Sequence, residues 1–367
     1  MTAKQTPAAC DNDSAPYRFH HTVTGAWRAM LGACKEAKTS IDLEEFIMLP
    51  DEIGRRFTDT LCASAERGVR VRLLLDWWGS REMKSSSQLR RLKESGVAVS
   101  FYRPPSLKTL APVKFFPRNH RKVLIVDKQT AFAGGVCIFD NIRDWRDSMV
   151  EFNGDVTDQL LTLFNTTWNF VNDGTPIEEK GIDFSGERPY AIIANAPHTR
   201  NTDFTKAFRR QLKNAQQRVR LCTPYFSPIG EVLDPLFDLL DRGVELELIL
   251  SDYSKYAPYV VGKKLCGQLI ERGAQIYYYE PSMLHLKQVI IDDSWGAIGS
   301  FNLDGLSIRQ NEEVMITTGD HDFVAELQTQ FEKDRAQSVP FSLEHWRNRP
   351  LSEKITGTLL KPFRHYL

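Results

Sequence analysis

The sequence predicts an α/β fold built from two similar domains. The chain has 367 residues, which is long enough for two ordinary domains that each bury a core of their own. Its hydrophobic fraction of 42% and charged fraction of 26% are typical of a globular protein. The second half repeats the order of helices, strands and polar motifs found in the first half. Length, composition and internal repetition therefore lead to the same fold class.

The charge balance argues against one class of partner. The chain carries 47 basic and 47 acidic residues, so its formal net charge is zero. A protein whose main task is to grip nucleic acid usually has a basic excess. Nucleic acid is therefore not expected as the main partner.

The chain is expected to be cytoplasmic. Residues 1–16 lack the apolar core of a secretory signal and are predicted to form a disordered tail. No uninterrupted apolar stretch reaches the length of a membrane span. The six cysteines are scattered without paired spacing, which favours a reducing compartment.

The repeat is clearest where a helix runs into a strand. "ASAERGVRVRLLLDWWG" (residues 63–79) and "DLLDRGVELELILSDYS" (residues 238–254) each end a helix at an Arg-Gly pair and then enter an alternating, increasingly apolar segment. A further helix and a second glycine follow in both halves, at Gly96 and Gly273. The order helix, strand, helix, strand in each half predicts the α/β fold.

The repeat also suggests domain limits. A stretch rich in Gly, Pro and charge, "NDGTPIEEKGIDFSGERP", is the predicted boundary between the halves. The expected division is a first domain at 17–180, a second domain at 181–340 and a C-terminal segment at 341–367.

A polar motif closes the repeat in each half, as "HRKVLIVD" (residues 120–127) and "HLKQVIID" (residues 285–292). Successive side chains on a strand point to opposite faces, so the His and Lys of each motif share a face. This applies to His120 with Lys122 and to His285 with Lys287. The terminal Asp127 and Asp292 have the other parity, so we expect them to hold the motif in place through ion pairs.

A glycine-led segment follows each motif, and it differs between the halves. "GGVC" (residues 134–137) follows the first motif and "GSFN" (residues 299–302) follows the second. Glycine lets a backbone approach a ligand closely, and Ser300 and Asn302 share parity, so both are expected to point at one anion. Two histidines, two lysines and an amide suit a phosphate, because they supply charge neutralisation, hydrogen bonds and proton transfer.

These residues resemble the phospholipase D superfamily. The doubled His-any-Lys motif with its Asp and its trailing Gly-Gly/Ser-any-Asn carries the resemblance, and within the superfamily the chain is most similar to bacterial cardiolipin synthases that lack membrane-spanning helices. The likeness extends from about Tyr17 to the C-terminus and includes "TPYFSP", "WRDSMVEFNG" and "GSFNLDGLSIRQNEE". It implies two phospholipase D-like domains, each a mixed β-sheet flanked by helices, with the active site at their pseudo-twofold interface.

The resemblance also implies a reaction. It is a two-step transfer of a phosphatidyl group, through a phosphohistidine, to an alcohol such as phosphatidylglycerol, without a metal or other cofactor. His120 is assigned as the nucleophile and His285 as the acid and base, although the sequence does not break their near-symmetry. Glu313 and Asp147 are implied to orient the imidazoles.

The expected site contains thirteen residues. Those assigned to catalysis are His120, Lys122, Asp127, Asp147, His285, Lys287, Asp292, Asn302 and Glu313, and those assigned to the substrate are Gly134, Gly135, Cys137 and Ser300.

One position in this set departs from the family pattern. Cys137 stands where the second half has Asn302, and a thiol is a weaker donor than an amide. Either the second half alone stabilises the phosphate charge or the site is less active. The first alternative is favoured because every other site position is intact.

Other functions remain open from the sequence. The same chemistry serves phosphodiesterases that hydrolyse phospholipid or nucleic acid, and a degenerate protein could bind phospholipid without turnover. A metal site is disfavoured because a lysine accompanies each motif histidine and no third ligand lies at a useful spacing. The oligomeric state is unknown from the sequence.

Phospholipid substrates and an anionic membrane surface are the expected partners. The insertion "SLKTLAPVKFFPRNHRK" mixes aromatic and basic residues, which suits peripheral binding at the inner face of the cell membrane, or a solvated loop that folds back. The tail "LSEKITGTLLKPFRHYL" has apolar residues near helical spacing and could serve the same purpose or pack on a domain. Trp77 and Trp78 are predicted to close a core rather than to touch lipid.

Overall fold

The computed structural model describes residues 16–104, 117–175, 189–196, 201–251 and 257–348. Most of the predicted disordered tail, most of the predicted domain boundary and the C-terminal segment after residue 348 lie outside the described residues. The aromatic part of the insertion before Pro117 also lies outside them. The expected domain limits and the membrane roles of the insertion and of the tail therefore stay predictions.

The first half of the described chain forms one mixed sheet. Its strands are β1 (Tyr17–His20), β2 (Ser40–Glu45), β3 (Arg70–Asp76), β4 (Ala98–Tyr102), β5 (Val123–Val126), β6 (Thr130–Gly134) and β7 (Met149–Asn153). They are arranged in the order β1-β7-β6-β5-β2-β3-β4. β2, β3 and β4 are parallel, whereas β5, β6, β7 and β1 are added by antiparallel pairing.

The second half forms a larger sheet with the same plan. Its strands are β8 (Tyr190–Ala196), β9 (Asn201–Thr202), β10 (Arg218–Thr223), β11 (Glu245–Ser251), β12 (Gln275–Tyr279), β13 (Gln288–Ile291), β14 (Trp295–Gly299), β15 (Glu313–Thr318) and β16 (Ser338–Pro340). The run β8-β15-β14-β13-β10-β11-β12 matches the whole first sheet strand for strand, and β9 and β16 extend its two edges. The predicted fold of two similar α/β halves is confirmed.

Helices connect and cover the strands. They are α1 (Val23–Glu36), α2 (Glu52–Glu66), α3 (Ser87–Glu94), α4 (Asp155–Asp173), α5 (Asp203–Asn214), α6 (Gly230–Asp241), α7 (Ala257–Ile270), α8 (Gly305–Arg309), α9 (His321–Ala336) and α10 (Leu343–Arg347), with short 3-10 turns at Arg81–Ser85 and Asp140–Ile142. Asp51 caps α2 by accepting a hydrogen bond from the Gly54 amide. As predicted, α2 and α6 end at Arg-Gly pairs, because Gly68 and Gly243 adopt positive φ angles of 90° and 82°. In the described residues, no helix is long and apolar enough to cross a membrane.

Within the described ranges, three buried apolar clusters hold these layers together. One packs α1, α2 and α3 on the first sheet, and a second packs α5, α6 and α7 on the second sheet. The third draws on both halves, since it joins strand residues such as Ile125 and Val150 to Ile290 and Ile316 and adds residues of α4 and α9. Burial of this shared cluster fixes the two halves against each other.

The prediction for the tryptophan pair is wrong. Trp78 is 44% exposed and Trp77 is only half-buried, in the turn after β3. The turn reverses the chain directly after Asp76, whose carboxylate accepts hydrogen bonds from the backbone amides of Trp78 and Gly79. The turn therefore leaves Trp78 at the surface and Trp77 only half-buried.

The two motif aspartates occupy matching turns after β5 and β13. Asp127 and Asp292 have positive φ angles of 54° and 51°. The Asp127 carboxylate accepts hydrogen bonds from the backbone amides of residues 38–40, and Asp292 does the same for residues 216–218. Backbone amides hold these carboxylates, in place of the expected ion pairs. Each aspartate lies at the opposite end of its strand from the motif histidine. This position argues against the catalytic role expected for both residues.

We predict that Asp292→Ala destabilises the fold through loss of these backbone contacts. The matched control is Asp293→Ala, because Asp293 has nearly the same φ of 54° but makes a surface ion pair with Arg218. Loss of three backbone hydrogen bonds should lower the free energy of unfolding by about 1–3 kcal/mol more than the control does. Urea unfolding of both variants measures the difference. Equal destabilisation would show that the carboxylate contacts contribute nothing beyond the strained turn.

Candidate active site

Each histidine motif is bonded to the other half of the chain. The segment before β5 forms a bridge between Asn119 and Glu312, and the His120 amide donates to the Glu312 carbonyl over 3.0 Å. The segment before β13 repeats this, since the His285 amide donates to the Arg146 carbonyl over 2.8 Å. The regular strands begin only after the motif lysines. The catalytic segments are thus extended arms that cross the interface between the halves.

The histidine rings are paired with carboxylates across the same interface. His120 Nδ1 lies 3.0 Å from Glu313 Oε1, and His285 Nδ1 lies 2.7 Å from Asp147 Oδ2. All four side chains are buried. An ionised carboxylate only accepts hydrogen bonds, so each Nδ1 carries the proton and each Nε2 retains its lone pair. Each half supplies the carboxylate for the imidazole of the other half.

Two serines hold the Glu313 carboxylate. Ser300 Oγ donates to Glu313 Oε2, and Ser307 Oγ donates to Glu313 Oε1 over 2.7 Å. Burial opposes ionisation, but His120, Lys122 and the Ser300 hydroxyl lower the pKa of Glu313 below its ordinary value. Ser300 was expected to bind the substrate anion. Its hydroxyl is instead engaged by the carboxylate, which corrects that expectation.

Glycine makes room for the Asp147 carboxylate. A Cβ atom at Gly135 would lie 2.2 Å from Asp147 Oδ1, and one at Gly134 would lie 2.3 Å from the Ser148 carbonyl. Asp147 also accepts a hydrogen bond from the Ser148 amide over 2.8 Å. Burial opposes ionisation here too, but Lys287 and the His285 ring lower the pKa of Asp147. The close approach predicted for these glycines is therefore to the carboxylate and β7, and not to a ligand.

The motif lysines are buried beside the rings. Lys122 Nζ donates to the His120 carbonyl, and Lys287 Nζ donates to the His285 carbonyl. Lys287 Nζ also lies 2.8 Å from Nδ1 and 3.0 Å from Nε2 of the His285 ring. Burial, together with Lys122, lowers the pKa of Lys287 to about 7. The two buried lysines are close enough for Lys122 to affect the charge of Lys287, and such a pair suits the binding of an anion.

Both imidazoles are neutral at physiological pH. Burial and the neighbouring Lys287 lower the pKa of His285 to about 3. Burial likewise lowers the pKa of His120, against the opposing effect of Glu313. A neutral imidazole is the form that acts as a nucleophile or a base.

Asn302 and Cys137 occupy matching positions but offer different chemistry. Asn302 is 4% exposed, and its Oδ1 has no hydrogen-bond partner among the described residues. The Cys137 thiol is equally buried, and burial raises its pKa to about 12. A thiol that remains protonated is neither a nucleophile nor a strong donor. Of these two matching positions, only Asn302 carries an amide.

Aromatic rings line the histidines on both sides. The Phe46 ring lies 4.9 Å from the His120 ring, and the Trp145 ring lies 5.2 Å from the His285 ring, measured between centroids. The Tyr225 ring lies 6.5 Å from the His285 ring, also measured between centroids. Phe46 and Trp145 could not be assigned from sequence because an aromatic residue beside a strand usually packs in a core.

A buried polar network behind the site was also missed by sequence reasoning. Arg121 Nη2 donates to Glu312 Oε2 over 2.7 Å, and the Tyr102 hydroxyl donates to Glu312 Oε1 over 2.9 Å. The Asn119 amide donates to Glu44 Oε1 over 2.7 Å. The only signal in the sequence was that a charged residue stands directly beside each of two site residues: Glu312 beside Glu313, and Arg121 beside His120. Adjacent positions on an extended segment face opposite sides, so these two charges point away from the site. This network fixes the two arms that carry the catalytic groups.

The assembled groups can bind a phosphate and act on it from two sides. Two neutral imidazoles, each with a buried carboxylate, flank two ammonium groups and an amide. Among the described residues, no three His, Cys, Asp or Glu side chains are placed to hold a metal ion. The arrangement supplies a nucleophile, a proton donor and charge stabilisation from its own side chains.

Comparisons with known proteins agree with this geometry. The family described as "Cardiolipin synthase, PLD-like domain" matches residues 30–168 and 208–335. The chain is 28% identical over 352 residues to the major cardiolipin synthase of Bacillus subtilis, covering 92% of this chain and 73% of that protein. It is 29% identical over 356 residues to cardiolipin synthase A of Pseudomonas aeruginosa, covering 94% of this chain and 71% of that one.

A solved structure supports the fold independently. The phosphatidylserine synthase of Haemophilus influenzae matches with a TM-score of 0.75 at 15% identity, over 95% of this chain and 92% of that chain. At this identity the likeness concerns the fold alone. Its coverage includes both halves, so the relation between the two sheets is part of the match.

We predict that Asn302 contributes far more to turnover than Cys137. Asn302→Ala removes a preorganised donor and should lower the rate by about 10²-fold or more. Cys137→Ser retains the size of the side chain and should lower the rate far less. Steady-state rates of the two variants, with folding checked by circular dichroism, provide the comparison. If Cys137→Ser were as damaging as Asn302→Ala, the thiol would have a direct role that this geometry does not contain.

Proposed function

The chain belongs to the cardiolipin synthase, phospholipase D-like domain family, and from this premise we propose that it is a phosphatidyltransferase of the cardiolipin synthase type. The crossed pairs of His120 with Glu313 and His285 with Asp147 carry the proposal. They give one site two activated imidazoles, which a transfer through a covalent intermediate requires. The relatives are named cardiolipin synthases. Phosphatidylglycerol is the proposed donor and acceptor, as the resemblance to this family implies.

In the first step, His120 Nε2 attacks the phosphorus of the donor phospholipid. The P–N bond forms while the P–O bond to the headgroup breaks. His285, which becomes protonated at Nε2 when the anionic donor is bound, gives that proton to the leaving alkoxide. Lys122, Lys287 and the Asn302 amide neutralise the phosphoryl oxygens. The products are a phosphatidyl group on His120 and a free alcohol.

In the second step, the acceptor alcohol replaces the departed headgroup. His285, now neutral, removes the hydroxyl proton as the oxygen attacks phosphorus, and the P–N bond to His120 breaks. The enzyme returns to its starting protonation state. Water in place of the alcohol would give hydrolysis, which is the competing phosphodiesterase reaction.

The surroundings of the two rings support this division of roles. In the described part of the chain, His120 Nε2 makes no hydrogen bond, so its lone pair is available for attack. His285 Nε2 lies 3.0 Å from the Lys287 ammonium, whose pKa is lowered to about 7. The Lys287 and His285 pair therefore holds a readily transferred proton, which suits the acid in the first step.

The proposed activity can be tested with phosphatidylglycerol vesicles. Transfer predicts the formation of cardiolipin with release of glycerol, and added phosphatidylethanolamine or glycerol tests other acceptors. Chelator should leave the rate nearly unchanged, because the lysines and Asn302 neutralise the charge. Cleavage of plasmid DNA without lipid turnover would contradict the proposal and favour a nuclease, and phosphatidic acid as the sole product would indicate a hydrolase.

The same incubation tests the roles of the histidines. His120→Ala and His285→Ala should both abolish turnover, but a rapidly quenched His285→Ala reaction with a good leaving group should retain phosphatidyl label on His120. Peptide mapping by mass spectrometry locates the label. An adduct on His285 in the wild-type protein would reverse the assignment.

We further propose that the turn after β3 touches an anionic membrane. Trp78 is exposed, and the Arg81 guanidinium lies 5.5 Å from its ring centroid. The Lys84 ammonium lies 4.1 Å from the Trp77 ring centroid. Exposed indole rings with adjacent cations suit the interface of an anionic bilayer. This surface adjoins the site, since Ser80 Oγ donates to the carbonyl of Phe46, whose ring contacts His120.

We predict that Trp78→Ala weakens binding to vesicles that contain phosphatidylglycerol. If the ring inserts at the interface, the substitution should make binding less favourable by about 1–3 kcal/mol. Co-sedimentation with vesicles gives the affinity, and Val339→Ala, which alters another exposed apolar residue, is the control. Unchanged affinity of Trp78→Ala would exclude this turn from the membrane contact.

A further inference from the structure

Glu45 occupies a position at the site that the mechanism above does not use. It is the last residue of β2, and the repeat matches it to Thr223, the last residue of β10. The pairing of β2 with β5 ends at Glu44 and Val123, so the next pair in register places Glu45 opposite Lys122. The same step in the second half places Thr223 opposite Lys287.

The side chain of Glu45 points to the catalytic face of the sheet. Alternation along β2 puts Glu45 on the same face as Leu43, which packs in the cluster that contains Cys137. The next residue is Phe46, whose ring contacts His120 and lies 5.2 Å from Lys122 Nζ. The first half therefore places a carboxyl and a thiol where the second half places a hydroxyl and an amide.

The side chains of Thr223 and Glu45 differ in their hydrogen bonding. Thr223 Oγ1 donates to the Tyr225 carbonyl over 2.9 Å and accepts from the Leu303 amide over 3.3 Å. Glu45 is 0% exposed, yet neither of its carboxyl oxygens has a hydrogen-bond partner in the described residues. A buried carboxyl without partners is strongly unfavourable unless it is neutral or meets a ligand.

The charges around Glu45 favour its neutral form. Burial raises its pKa well above the ordinary value, and the neighbouring Glu44 adds to this effect. Lys122 opposes it, as does the nearby Phe46 backbone amide, which does not meet the geometry of a hydrogen bond to Glu45. The Cys137 thiol is protonated and the His120 ring is neutral, so neither adds charge. A bound phosphate would bring another negative charge and raise the pKa further.

We propose that Glu45 is a catalytic residue that, as a neutral carboxylic acid, donates a hydrogen bond to the transferring phosphate. It supplies from the first half the donor that Cys137 does not provide. The two halves then present matching pairs of a lysine and a donor: Lys122 with Glu45, and Lys287 with Asn302. The inference rests on the proposed function for the identity of the phosphate.

Four variants test this role. Glu45→Gln keeps a donor in an uncharged side chain of the same shape, whereas Glu45→Ala removes the donor. Cys137→Asn, combined with Glu45→Ala, restores a donor from the neighbouring position. Cys137→Leu in the same background fills a similar volume without a donor and is the matched control. Thermal unfolding of each variant separates loss of the fold from loss of the donor.

Rates of phosphatidyl transfer should follow the donor. Glu45→Ala should lower kcat by about 10²-fold, while Glu45→Gln should retain most of the wild-type rate. Glu45→Ala with Cys137→Asn should regain activity, and Glu45→Ala with Cys137→Leu should not. A Glu45→Gln variant as slow as Glu45→Ala, or a Glu45→Ala variant as fast as wild type, would overturn the inference.

The pH dependence gives a signature that a purely structural role would not produce. The wild-type enzyme loses its donor as Glu45 ionises with rising pH, but Glu45→Gln does not. Lys287 loses its proton in both proteins, so its effect cancels in the ratio of their rates. The ratio of the wild-type rate to the Glu45→Gln rate should therefore fall as pH rises. A ratio that rises with pH would mean that the ionised carboxylate is the active form and would refute the proposal.

Binding of inorganic phosphate, measured by calorimetry, separates this inference from the proposed function. Wild type and Glu45→Gln should bind phosphate more tightly than Glu45→Ala, whether or not phosphatidylglycerol is turned over. Weaker binding by Glu45→Ala without any lipid transfer would refute the proposed function alone. Equal binding by all three proteins, with lipid transfer intact, would refute the role of Glu45 alone.

Discussion

The site depends on an exchange of carboxylates between the two halves of the chain. Glu313 of the second half orients His120 of the first, and Asp147 of the first half orients His285 of the second. Neither half is complete alone, because a buried imidazole without its carboxylate loses the tautomer that exposes Nε2. The shared apolar cluster and the Arg121 and Glu312 ion pair keep this exchange in register. The site as described therefore needs both halves of the chain.

The exchange is symmetric in the backbone but not in the side chains. The second half uses the longer carboxylate and supports it with the Ser300 hydroxyl, whereas the first half uses the shorter Asp147 against the bare backbone of Gly135. A serine at position 135 would collide with Asp147, so the carboxylate and the residue facing it must change together. This difference, together with the asymmetry at Cys137 and Asn302, makes two otherwise equal histidines distinguishable.

Sequence reasoning reached the elements of this site but not their connections. Strand parity correctly grouped each histidine with its lysine, and the repeated glycines marked the helix ends. Parity describes one strand at a time, so it could not reveal that each carboxylate serves the opposite half. Parity also could not reveal that Ser300, although it points toward the site, donates its hydroxyl hydrogen bond to Glu313 and so does not offer it to a substrate. The backbone amides that hold Asp127 are distant in sequence, so they left no local signal.

The charges of the free site explain how a histidine of low pKa can still act as an acid. When Lys287 is protonated, Lys122 and Lys287 bring two positive charges, and Asp147 and Glu313 bring two negative charges. These four groups are then close to neutral together while the imidazoles are neutral. Burial then holds the pKa of His285 near 3. A phosphodiester adds one negative charge within this buried space, where charges interact more strongly than in water. In the proposed mechanism, that charge favours protonation of His285, so the arriving substrate creates the acid that the first step needs. A site with a permanently protonated histidine would bind the anion as well but would lack the second neutral ring on which attack depends.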